Sequence, residues 1–87
     1  MFKPTDRVQV REDFDADAPE LRGREGVVVV IEKPPSGMIL VRFPGWTGGH
    51  SGFSSQQDRS LLPRRSKEGW WLLETDLLPV EKTEGEL

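Results

Sequence analysis

His50 is the only histidine of the chain, and it lies in the stretch Phe43-Pro44-Gly45-Trp46-Thr47-Gly48-Gly49-His50-Ser51-Gly52-Phe53, where chemically capable side chains alternate with glycines. An imidazole beside a hydroxyl raises the question of general-base or nucleophilic catalysis. That chemistry also needs an orienting carboxylate and a nucleophile within hydrogen-bond reach of the base. Adjacency of Ser51 to His50 does not make a triad, and no helix pattern follows Phe53 to supply the strand-to-helix setting of a nucleophile elbow. Catalysis is not expected. A metal centre needs three or four ligands, whereas the chain offers one histidine, no cysteine and scattered carboxylates, so no metal and no cofactor are expected either. His50 is expected to serve structure, its ring N–H donating to a backbone carbonyl and pinning the glycine loop against a tryptophan.

Binding chemistry is the alternative to turnover. Gly45, Gly48, Gly49 and Gly52 place four glycines in eight positions, which lets the backbone reach left-handed conformations and marks a shaped loop. Successive amides in such a loop can form an anion nest. The Gly-Lys-Ser/Thr ending and the following helix of a phosphate-binding loop are missing, so a Walker or dinucleotide assignment fails. A small anionic or nucleotide-like ligand held by loop amides, Arg42 and a stacked tryptophan is one alternative. Single-stranded nucleic acid is a second, since Arg64-Arg65-Ser66-Lys67 precedes Trp70 and Trp71 and bases stack on rings while cations follow phosphates. Against it stand 12 Lys and Arg, 15 Asp and Glu, and a net charge of -3, so nucleic acid is a disfavoured partner. The mixture of aromatics and glycines favours protein recognition. Trp46, Phe53 and one of Trp70 or Trp71 would form the surface with His50, while Arg42 and Arg59 add directional hydrogen bonds. The same loop also reads as a hairpin connection whose aromatics fold back as a lid over the core.

These residues have to be positioned by strands. Asp6 to Arg11 alternates polar and apolar, with Val8 and Val10 on one face. Residues 12–25 form a long acidic loop with a turn near Gly23 and room for a short helical turn over Ala18 to Leu21, led by Asp17. Gly26 to Glu32 is β-branched throughout and apolar on both faces, which predicts a central strand. Lys33-Pro34-Pro35-Ser36-Gly37 turns it into a second strand over Met38 to Phe43, whose alternation leaves Arg42 at the end beside the glycine loop. Ser54 to Glu68 reads as a polar excursion without a core of its own. Gly69 to Glu74 is a strand in which Trp70 and Trp71 must face opposite sides. Thr75 or Asp76 can cap a single 3-10 turn before Leu78 and Val80 return to the barrel. The expected core is Val8, Val10, Val27, Val29, Ile39, Val41 and Leu72.

At 87 residues the chain fits one domain over residues 1–80 with a polar tail at 81–87 expected to be disordered. Without cysteine, packing alone must stabilise it. No apolar run reaches membrane-spanning length and the N-terminus lacks a signal-peptide core, so a cytoplasmic protein with no membrane partner is expected.

Five short strands, a long first loop and a one-turn helix before the last strand predict an all-β fold, a small SH3-like barrel. The order Asp6-Arg7-Val8, Gly23-x-x-Gly26-Val27-Val28, Leu40-Val41-Arg42-Phe43, Gly48-Gly49-His50-Ser51-Gly52, Trp70-Trp71 and Asp76-Leu77-Leu78 resembles a group of small phage and bacterial proteins of SH3-like fold. More distantly it is similar to the SH3-like domains of the Mind-bomb ubiquitin ligases. The resemblance implies a phage-encoded protein or a peptide-binding domain, and together with the residues above it gives the expectation of a non-enzymatic interaction module that binds or inhibits a host protein, as a monomer or weak homodimer.

Overall fold

The computed structural model describes residues 2–14, 18–52 and 60–80. Strands β1 (Arg7–Val10), β2 (Glu25–Ile31), β3 (Ile39–Arg42), β4 (Gly69–Leu72) and β5 (Leu77–Pro79) form one antiparallel sheet in the order β4-β3-β2-β1-β5. The strand that is apolar on both faces, β2, is the central one. Leu72 on one edge strand and Leu77 on the other share a buried cluster with Val8, Val10, Val28, Ile39 and Val41. A sheet brings its two edges over one core only by bending strongly, and the fold is all-β, five antiparallel strands in one sheet, as expected from the sequence. The 3-10 turn Glu74–Asp76 precedes β5, and a second one, Pro19–Leu21, lies in the long first loop and buries Leu21. Asp17, expected to lead that turn, lies outside the described residues. Asp76 closes its own turn, since its carboxylate accepts the Leu73 N–H at 3.0 Å while its N–H donates to the Leu73 carbonyl at 2.9 Å.

Within β2 the expected core phase is corrected. Val27 is half-exposed and Val28 is fully buried, because the alternation of a run of four valines cannot be phased from the run itself. Pairing with β3 runs Val28 to Val41, Val30 to Leu40 and Ile31 to Ile39, with a bulge between Val28 and Val30. The extra residue changes which parity faces inward. Val28 and Ile31 therefore pack on the main core, whereas Val29 and Val30 turn to the opposite face with Leu40. A second correction concerns β5. Leu77 pairs with the buried Val10 and is buried at 5% exposure, while Leu78 pairs with Gln9 and remains 39% exposed. Cross-strand partners share a face, so the partner decides which leucine enters the core.

The opposite face of the sheet carries a smaller cluster of Val29, Val30, Leu40 and Leu62, flanked by Leu61 and Trp71. Leu62 is completely buried, so the excursion before β4, which has no core of its own, is anchored on this face of the sheet. Both sheet edges are blunted. His50 bridges Gly69 on the outer edge of β4, Asp76 takes the Leu73 groups just beyond it, and Pro79 removes a donor from β5. Among the described residues no helix is long and apolar enough to cross a membrane.

Candidate interaction site

The glycine loop folds back on the main core. Phe43 to Trp46 is a tight turn with the Trp46 N–H donating to the Phe43 carbonyl at 3.0 Å, Pro44 second and Gly45 third at φ +86°. That is the residue order a type II turn requires. The turn throws the Trp46 indole inward, edge-on to Phe43 with centroids 5.9 Å apart and edge-on to Trp70 at 5.8 Å. A Cβ on Gly48 would lie 2.9 Å from the Trp46 ring, and one on Gly49 would lie 2.1 Å from the Gly69 carbonyl oxygen. The four glycines thus answer two different demands: Gly45 and Gly52 take positive φ, whereas Gly48 and Gly49 leave a slot for the indole. Trp46 is only 7% exposed, so its expected place as an exposed anchor is corrected: it is the lid.

His50 holds this lid in place. Its backbone exchanges two hydrogen bonds with Gly69, at 2.9 and 2.8 Å, and its ring lies tilted by 33° against Trp70 at a centroid distance of 5.5 Å. The Gly52 N–H donates to His50 Nδ1 at 2.9 Å. The ring nitrogen is therefore the acceptor, the reverse of the expected donation to a carbonyl, and the neutral ring carries its proton on Nε2. Burial lowers the His50 pKa and keeps the ring neutral.

Arg42 is also committed to the fold. Its Nε donates to Glu68 Oε1 at 2.5 Å and its Nη1 to the Leu61 carbonyl at 3.0 Å, while Glu68 Oε2 accepts the Gly45 N–H at 2.9 Å. One carboxylate thereby fastens the strand end to the turn that launches the loop. The Gly45 amide and then the Arg42 guanidinium hold the Glu68 carboxyl below its ordinary range. Arg42 is corrected from a donor facing a partner to an internal clamp. Glu68 escapes notice in the sequence because its role depends on register: Arg42 pairs with Gly69, which puts the preceding carboxylate within reach.

Trp70 and Trp71 do take opposite faces. Trp70 packs on the main core between Trp46 and His50, and Trp71 packs on the second cluster, each half-buried. The Trp71 ring borders an open depression of about 420 Å³ with Glu32, Ser36 and Met38. Around the same hairpin lies a second depression of about 340 Å³, floored by Phe2, Ile31, Pro34 and Ile39 and again bordered by Glu32. None of Glu32, Met38 and Phe2 stands out in the sequence, since they meet only when the β2–β3 hairpin closes. Arg64, Arg65 and Lys67 are exposed, and Phe53 and Arg59 lie outside the described residues. Among the described residues no cluster of three or more metal-ligating side chains occurs. Comparison with protein-family models, curated proteins and solved structures found no match.

Proposed function

We propose that the chain is a non-enzymatic protein-interaction module whose docking face lies around Trp71 at the β2–β3 hairpin, not at the tip of the glycine loop. The observation that carries this reading is the half-buried Trp71 ring bordering an open depression with Met38 and Glu32. A large aromatic beside a thioether and a few polar groups is the composition from which interface anchors are drawn. The open shape favours a chain segment over a small molecule, which binds best where most of its surface is enclosed. The anionic-ligand alternative loses its cation, because Arg42 is engaged by Glu68 and Leu61.

Site-specific crosslinking tests the face. A photoreactive phenylalanine replacing Ser36 borders the depression, and the same group replacing Glu20 sits on the exposed 3-10 turn of the first loop. In expressing cells the Ser36 position should yield a discrete crosslinked protein, the Glu20 position should not, and Trp71→Ala should abolish the product while the protein stays folded. An undiminished product with folded Trp71→Ala would refute the assignment.

A further inference from the structure

We infer that this face recognises an arginine side chain with an apolar side chain close beside it in an extended peptide; the inference rests on the docking face proposed above. Among the described residues bordering the Trp71 depression, Glu32 alone is charged. An indole face next to a carboxylate attracts a cation twice, through the ring quadrupole and through a charge-assisted hydrogen bond. Arginine satisfies both better than lysine does, since its planar guanidinium stacks on a ring while its edge offers a fork of donors to a carboxylate.

Closure of the hairpin fixes Glu32 where it serves both depressions. The Glu32 N–H donates to the Met38 carbonyl at 2.8 Å, setting the carboxylate-bearing residue opposite the thioether-bearing one at the end of β2 and β3. Because Glu32 borders both depressions, groups filling them come from neighbouring residues of one ligand. The second depression has a floor of Phe2, Ile31, Pro34 and Ile39, and its rim adds Lys33 and Glu74. The apolar floor favours an uncharged group there and the indole favours a guanidinium, which places the arginine over Trp71 and the apolar side chain over Phe2 and Ile39. The chain's net charge of -3 draws a cationic segment toward it at longer range.

The test uses capped hexapeptides, Gly-Ser-X-Z-Ser-Gly, with Arg, Lys, Gln or Glu at X and Leu or Gly at Z, titrated by fluorescence polarisation against the intact chain. The Arg-Leu peptide should bind about tenfold or more tightly than the Gln-Leu peptide. Glu32→Gln, which keeps side-chain size, should erase that ratio, and Glu32→Lys should transfer the preference to the Glu peptide. Three results overturn the inference: no peptide binds, the Arg-to-Gln ratio survives Glu32→Gln, or the Leu and Gly peptides bind alike. If the ratio survives Glu32→Gln while folded Trp71→Ala loses all binding, arginine reading is wrong and the docking face stands. If neither substitution matters and the Ser36 crosslink persists in Trp71→Ala, both fail.

Discussion

Trp70 and Trp71 are neighbours in one strand, yet they belong to different kinds of surface. On the Trp70 side, aromatics meet glycine: Phe43, Trp46, Trp70 and His50 form a ladder of rings, and the loop backbone presses on the indole where Gly48 and Gly49 have no side chains. On the Trp71 side the aromatic borders an open depression together with Met38 and Glu32. An aromatic among glycines reads as recognition from sequence, but glycine also permits close approach, which here closes a core. The aromatic with ordinary neighbours is the one that borders an open depression.

Trp46→Ala breaks the first side most severely. Removal of a buried indole should cost about 3–5 kcal/mol and leave a domain of this size largely unfolded, as urea titration would report. Gly49→Ala should follow at about 1–3 kcal/mol, because its Cβ collides with backbone, which cannot rotate away as a side chain would. Gly45→Ala meets no atom but has to occupy φ +86°, so a loss of about 1–2 kcal/mol is expected from conformation alone. On the other side, Trp71→Ala should cost about 1–2 kcal/mol, since only part of the ring leaves water on folding.

The smallest effect is that of pH, and its sign follows from His50. Its folded pKa lies below the ordinary value of 6.5, so the unfolded chain takes up the proton more readily. Stability is fully present above pH 6.5 and is lost as pH falls from there through the folded pKa, when protonation also removes the acceptor of the Gly52 N–H. Glu68 adds a separate loss in a lower window, starting near its ordinary 4.5 and running down through its own folded pKa. Urea midpoints measured at a series of pH values should show the upper step in the parent chain and not in His50→Gln.

Strand identity was legible because alternation and β-branching report local geometry directly, as in Val8 with Val10 or in the opposed Trp70 and Trp71. Phase was not legible in β2, where a bulge in an unbroken valine run moves Val28 and Ile31 inward together. Burial of Leu62 was hidden because its partners Val29, Val30 and Leu40 are distant in sequence and face the side of the sheet that a polar loop covers. The proposed face draws on Trp71, which the sequence singles out, whereas Trp46 and Arg42 were misread because their partners Gly48, Gly49 and Glu68 act through tertiary approach. Glu32 and Met38 carry no motif; the turn Lys33 to Gly37 brings them together.

Accessibility of the three tryptophan rings tests the contrast most directly. Line broadening of their ring resonances by a soluble neutral nitroxide should be strong for Trp71 and weak for Trp46. Broadening of Trp46 equal to or greater than that of Trp71 would contradict the assignment of the glycine loop to the core and of the open face to Trp71.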